Sequence, residues 1–301
     1  MVLEEVKPQK SEGLVTIQNA DKVYGRRKVL NDISLTVGSG ECIALVGKNG
    51  SGKSTLLRLL GGLAHPTSGI RSVPKGNLST GYVPERFPQL PFTPREFLMS
   101  AAAVGGMDKP SAEQKVSSLL QQLDMEQYAD VRMNRFSKGM LQKINLIQAM
   151  LQRPDLLLLD EPLSGLDVKA QEKLLYLLAA LKRKGTAIVM SVHESKLIEE
   201  IADRVLLMKD GQVIRENRGD QDIKVTITRI VMIGPDPGAA ALLAEHPGII
   251  HYTAHLDTCE LEVLSDAVDE VLRRILDSGG SVISVIPAGG MDVHLAEVAN
   301  E

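Results

Sequence analysis

The sequence predicts an α/β fold: a largely parallel sheet with an antiparallel β region before it and a small α+β domain after it. Three observations lead there. Apolar runs alternate with helical patterns from "ECIALVG" through "DLLLLD" and "TAIVMSV" to "RVLLMKDG". Buried strands that alternate with crossover helices form a parallel sheet covered on both faces. The stretches "LVTIQNA" and "DISLTV", ahead of Val46, read instead as short antiparallel strands. Composition then shifts at Glu216–Asp222, "ENRGDQD", which reads as a linker and divides the chain into residues 1–218 and 219–301.

Taken in order, the first parallel strand leads into a helix from Lys53, the second into a helix from about Val168, and the third into a helix from Glu194. Between Pro84 and Asn134 the reading is mostly helical. There "TPRE", Thr93–Glu96, supplies an N-cap, a proline at the first helical position and a capping-box glutamate. A further helix starts near Ser137, with Met140, Ile144, Ile147 and Leu151 on one face, and it must stop before Pro154. Beyond the linker come the strand "KVTITRIVMI", a short helix ending near His246, and two strands meeting around Asp257 and Thr258. A helix follows with Val268, Val271, Leu272, Ile275 and Leu276 as its apolar stripe, closed by Gly279 and Gly280, and then the strand "SVISVI". That order, β-α-β-β-α-β, is ferredoxin-like.

With 301 residues and 44% hydrophobic composition the chain can bury one large or two modest cores. A net charge of −4 offers no basic surplus, so neither nucleic acid nor an anionic membrane is expected as the main partner. No apolar run approaches the ~20 residues that span a bilayer, and "MVLEEVKPQK" lacks the parts of a signal peptide. The expected location is cytoplasmic, with Cys42 and Cys259 reduced and unpaired. His251, His255 and Cys259 are evenly spaced but straddle a hairpin and lack paired zinc-ligand spacing. His65, His246 and His294 carry no partner pattern and read as surface or capping residues.

"GKNGSGKST", Gly47–Thr55, carries the strongest chemistry. Gly47, Gly52, Lys53 and Ser54 match a phosphate loop between a strand and a helix, which makes the core a P-loop NTPase core. Gly47, Asn49, Gly50, Ser51, Gly52 and Thr55 shape a backbone whose amides face phosphates; Lys53 brings a point charge, and the Ser54 hydroxyl can ligate Mg²⁺. In "LLLLDEP", Asp160 at the strand end suits the metal shell, and Glu161 can orient or deprotonate a water attacking the γ-phosphate. Without the upstream loop the pair would be an ordinary strand-end turn. "NRFSKGML", Asn134–Leu141, places Ser137 and Gly139 at a second helix start able to attract an anion.

From about Leu14 to Asn217, this order of motifs resembles an ATP-binding cassette (ABC) ATPase. The resemblance implies ATP and Mg²⁺ as cofactors, a helical subdomain beside the core, and further roles. Tyr24 would stack on adenine, His193 in "SVHE" would contact the γ-phosphate, and Asp167 in "LSGLD" would belong to a dimer-contact loop. It also makes "FSKGM" the counterpart of the signature "LSGGQ", which binds the γ-phosphate of a nucleotide held by the other subunit. Each chain then carries two half-sites, and ATP should drive a head-to-tail dimer, either a homodimer or a pairing with a paralogue.

Three positions, in two motifs, depart from the family pattern. Lys138 and Met140 give "SKGM", a variant similar to cassettes of the drug- and antibiotic-export type. Glu85 in "GYVPERFPQL" stands where the family places a glutamine that senses Mg²⁺ and connects to the transmembrane partner; a carboxylate there needs Mg²⁺ or a cation such as Arg86 to offset it.

The expectation is an ATP-hydrolysing ABC transporter subunit that powers separately encoded transmembrane permease subunits at the cytoplasmic face, in export. The alternative is an ABC ATPase of DNA repair or translation, but neither a coiled-coil insertion nor a second cassette is present. A regulatory cassette without turnover is disfavoured because Lys53, Asp160, Glu161 and His193 are all in place.

Overall fold

The computed structural model describes residues 13–74, 76–192, 195–218, 227–233, 246, 248–254 and 258–288. These group into two compact units: Met1–Val192 with Ile201–Asn217, and His193–Glu200 with Arg218–Glu301.

In the first unit, β1 (Val15–Tyr24) and β2 (Arg27–Val37) pair antiparallel and, with β4 (Ser68–Ser72), make a three-stranded sheet in the order β2-β1-β4. Both leading strands run longer than the sequence motifs suggested, because register shifts near Ala20 and Lys22 let the ladder resume after each bulge. The second sheet contains β3 (Cys42–Val46), β5 (Thr80–Val83), β6 (Leu156–Asp160), β7 (Ala187–Ser191), β8 (Arg204–Lys209) and β9 (Gln212–Arg218), in the order β5-β6-β7-β3-β8-β9. The pairs joining β5 through β8 are parallel. Every residue of β3, β6 and β7 is buried, which explains why these strands read as unbroken apolar runs.

Helix α1 (Lys53–Leu60) seals one face of this sheet: Leu56, Leu57, Leu59 and Leu60 join Ile43, Leu45, Leu156, Leu158 and Val189 in one core. Between β5 and β6 lie α2 (Pro94–Val104), α3 (Lys109–Gln122) and α4 (Lys138–Met150). The capping box is present: Thr93 accepts from Glu96 N–H while Glu96 accepts from Thr93 N–H. Helix α5 (Val168–Arg183) precedes β7; α6 (Ser195–Ile201), which groups with the second unit as far as Glu200, precedes β8 in the chain.

The linker reading needs correction. Glu216–Arg218 belongs to β9, because Arg204 Nε donates to Glu216 Oε1 at 2.8 Å while its Nη1 bonds Glu41 and the Thr36 carbonyl. A polar, charged stretch is thereby held as an edge strand.

The second unit has a four-stranded antiparallel sheet of β10 (Ile227–Ile233), β11 (Ile249–Ala254), β12 (Thr258–Leu264) and β13 (Ser281–Ala288), in the order β11-β12-β10-β13. Counting these strands one to four, that is 4-1-3-2 read from β13, the ferredoxin-like order. Helix α7 (Val268–Asp277) buries Val271 and Ile275 against Ile230, Met232, Leu261 and Val263. Leu276, expected in that apolar stripe, is 60% exposed. The helix expected to end near His246 lies outside the described residues. His246 itself is buried rather than at the surface, with Nε2 3.1 Å from Glu270 Oε1 and Nδ1 accepting from Gly248 N–H.

Candidate nucleotide site and signature turn

The phosphate loop leaves the C-terminal end of β3, beside β7 and β8, and opens α1. Ligands bind at such strand ends in open α/β sheets. Gly52 N-caps α1 at φ 104°, and a Cβ there would lie 2.9 Å from the Val29 carbonyl and 2.7 Å from Leu30 Cδ2. Only glycine meets both demands. The loop is pinned from within by Ser51 N–H donating to Lys48 O at 3.1 Å, and from outside by Gly211 N–H donating to Ser51 O at 3.1 Å.

Lys53 is buried, its Nζ donating to Gly47 O at 2.5 Å and Lys48 O at 3.2 Å. Burial lowers its pKa from the ordinary lysine value; Glu161, Asp160 and Glu85, in that order of strength, act the other way. All four are sequence-predicted residues, and the ammonium feels the charge of each of the three carboxylates. Ser51 Oγ is buried with no hydrogen-bond partner among the described residues, an orphaned polar atom inside the loop. A nucleotide's phosphates fit this loop, since they satisfy that hydroxyl, the loop amides and the remaining Lys53 proton. Mg²⁺ fits the neighbouring donors: the half-buried Ser54 and the carboxylate of buried Asp160.

Ser191 organises the acids, and the sequence reading missed it. It is fully buried at the end of β7, in register with Asp160 on the neighbouring parallel strand. Its Oγ donates to Asp160 Oδ1 at 2.7 Å and accepts from Glu161 N–H at 3.0 Å. Glu161 has φ 48°, a left-handed conformation that costs a non-glycine residue about 1–2 kcal/mol and persists where surrounding bonds enforce it. The available signal was its position, the last residue of the next parallel strand, two before His193. His193 lies outside the described residues.

Glu85 sits just past β5, with Oε1 3.7 Å from Arg86 Nε; their side chains are 45% and 90% exposed. Tyr24, at the end of β1, is 47% exposed, and Lys22 Nζ lies 4.9 Å from its ring centroid.

The signature turn stands at the start of α4. Ser137 is the N-cap, its Oγ accepting from Met140 N–H at 3.3 Å, so its hydroxyl serves the helix. The amides of Lys138 and Gly139 precede the first intrahelical bonds and have no partner among the described residues. Asp167 likewise caps α5, accepting from Ala170 N–H at 2.9 Å.

A phosphate loop at the carboxyl end of a parallel strand, beside a strand-end Asp-Glu pair, defines a nucleotide-hydrolysing ATPase of the P-loop kind. The signature turn narrows it to a cassette. Residues 30–164 match the family model described as ABC transporter. The Nod factor export ATP-binding protein I of Burkholderia orbicola (strain AU 1054) is 35% identical over 238 residues, 75% of this chain and 78% of that protein. The uncharacterized ABC transporter ATP-binding protein YxlF of Bacillus subtilis (strain 168) is 34% identical over 206 residues, 66% and 69% of the two chains. Among solved structures, an ATP-binding subunit of an ABC transporter superposes with TM-score 0.64 at 31% identity, over 69% of this chain and 90% of that one. A dimeric ATP-binding cassette in a post-hydrolysis state, bound to ADP and Pi, does so with TM-score 0.63 at 26% identity, over 68% and 98%. The chain belongs to the ATP-binding proteins of ABC transporters, and its activity is ATP hydrolysis. No helix among the described residues is long and apolar enough to cross a membrane.

Proposed function

We propose that this chain works as a head-to-tail dimer, a homodimer or a pairing with a paralogue, that hydrolyses MgATP and powers separately encoded transmembrane permease subunits from the cytoplasmic face, in export. The observation that carries the site chemistry is that buried Ser191 bonds both Asp160 and the Glu161 backbone at the end of β7, the strand beside β3, whose loop leads to buried Lys53. Export is supported by the relatives called Nod factor export ATP-binding proteins and by the "SKGM" signature. The dimer is supported by the dimeric cassette bound to ADP and Pi.

In this reading the loop amides and Lys53 hold the β- and γ-phosphates, and Tyr24 stacks on the base, a contact worth ~1–3 kcal/mol. Ser54 and Asp160 hold Mg²⁺, with Glu85 adding charge at its edge. The metal, when bound, offsets phosphate charge. Glu161 takes the proton of the attacking water, its backbone fixed by Ser191. The free amides at Lys138 and Gly139 face the γ-phosphate of the nucleotide on the other chain, and His193 contacts the γ-phosphate in its own.

Glu161→Gln tests this directly. The amide keeps shape but loses basicity, so MgATP should accumulate a dimer in gel filtration while phosphate release stalls. Turnover close to wild type would remove Glu161 from the role of base.

A further inference from the structure

The lysine that departs from the signature pattern does not extend freely into solvent. Lys138 Nζ donates to Ser164 Oγ at 2.7 Å, and its stem lies across Gly165, where an added Cβ would meet Lys138 Cγ and Cδ at 3.2 Å. One residue on, Gly139 approaches the same loop so closely that a Cβ would stand 2.3 Å from Gly165 O. One turn further, buried Gln142 donates from Nε2 to Pro162 O at 3.3 Å. The first two turns of α4 therefore grip positions 162, 164 and 165 of the loop that leaves Glu161. That loop is closed on Glu161 itself, whose carbonyl accepts from Ser164 N–H at 3.1 Å.

We infer that Lys138 is a positioning residue whose bond to Ser164 ties the signature turn to the loop carrying Glu161, and so couples the two nucleotide sites of the dimer. The inference rests on the dimer reading above. There the signature turn serves the nucleotide on the other chain, whereas Glu161 serves the nucleotide on its own. A shift of the turn on engaging one γ-phosphate is passed through the Lys138–Ser164 bond to the segment that starts at the Glu161 carbonyl. Gly139 and Gln142 keep the surfaces packed. The Lys138 bond is the charged contact and the only one of the three made by an exposed side chain, so it can be removed without opening the core.

The experiment compares wild type, Ser164→Ala, Lys138→Met and the double variant, with Ser164→Thr as the conservative rescue. Turnover, its Hill coefficient in ATP, and melting are measured for each, with Glu161→Gln dimer formation as the control on the reading. Each single variant should lower turnover about fivefold, the effect of one lost charge-assisted bond in partial solvent. Each should also bring the Hill coefficient toward one, while the double variant does no more than either single one. Ser164→Thr should restore both quantities. A purely structural role would lower melting and leave the Hill coefficient unmoved, and that result overturns the inference. So does additivity of the two single variants. If wild type hydrolyses ATP and Glu161→Gln dimerises, but Ser164→Ala and Lys138→Met superimpose on wild type, the coupling role fails and the dimer reading stands. If Glu161→Gln forms no dimer with MgATP, both fail together. Should Ser164→Ala not fold, Lys138→Met alone decides by the same two readouts.

Discussion

Replacing Ser191 by alanine removes one hydroxyl that serves two acids. Its bond to Asp160 Oδ1, 2.7 Å long and buried, has an ionisable acceptor, a class worth about 1.5–3 kcal/mol. The second bond costs less to lose, because Glu161 N–H also points at the Ser191 carbonyl, 3.2 Å away. The loss is therefore set by Asp160, left in a protein interior with one donor fewer. For a unit of this size ~1 kcal/mol moves the midpoint by about 2–4 °C, so Ser191→Ala should melt roughly 4–10 °C below wild type. At a temperature well below both midpoints, the ATPase rate should still fall about tenfold and the Mg²⁺ requirement should rise, since Asp160 and Glu161 are no longer held in one geometry. Differential scanning fluorimetry and phosphate release against Mg²⁺ concentration measure both effects. A variant that melts with wild type, or one that melts lower yet keeps the wild-type Mg²⁺ curve, would refute the claim that Ser191 positions the acids.

Two other outcomes are expected. Burial lowers the Lys53 pKa below the ordinary 10.5, so its charge is lost as pH rises through a window lower than that of an exposed lysine. Nucleotide affinity should fall across that window, measured by calorimetric titration, while the nucleotide-free protein gains stability from this group because the unfolded chain binds the proton more tightly. Lys53→Met should remove both slopes, and an affinity flat with pH in the wild type contradicts the assignment. Glu85→Gln should weaken the Mg²⁺ dependence of turnover and leave metal-free nucleotide binding equal or tighter, because one carboxylate has gone from beside the phosphates. Arg86→Ala should change neither, since its 3.7 Å pair with Glu85 is exposed and worth ~0–1 kcal/mol. A Glu85→Gln curve that overlays wild type would place the metal-sensing role elsewhere, with Gln89 the next residue to test.

What was legible in the chain is what repeats locally. Strands β3, β6 and β7 are buried on both faces, so their apolar runs declare them, and the Thr93–Glu96 capping box is complete within four residues. The phosphate loop is also local: every group it needs lies between Gly47 and Thr55. Strands β4 and β9 escaped because their own residues are polar or exposed. Each exists through its neighbours, β4 through pairing with β1 and β9 through Arg204 holding Glu216.

The same reasoning explains why the site was legible as a set of residues but not as a mechanism. Asp160 and Glu161 announce themselves at a strand end, yet the atom that orients both comes from Ser191, about thirty positions later, and is visible only once β6 and β7 are in register. Lys138 shows this most sharply. Against a motif it reads as a lost glycine, a departure to be tolerated. In the folded chain it is a gained bond, because the loop leaving Glu161 comes within 2.7 Å of its ammonium. The glycine that had to stay is the next one, Gly139, where any side chain would strike Gly165 O. A signature of this form therefore keeps the backbone approach, which sterics enforce, and varies the neighbouring position, where an exposed side chain reaches the loop that leaves Glu161 without disturbing that approach.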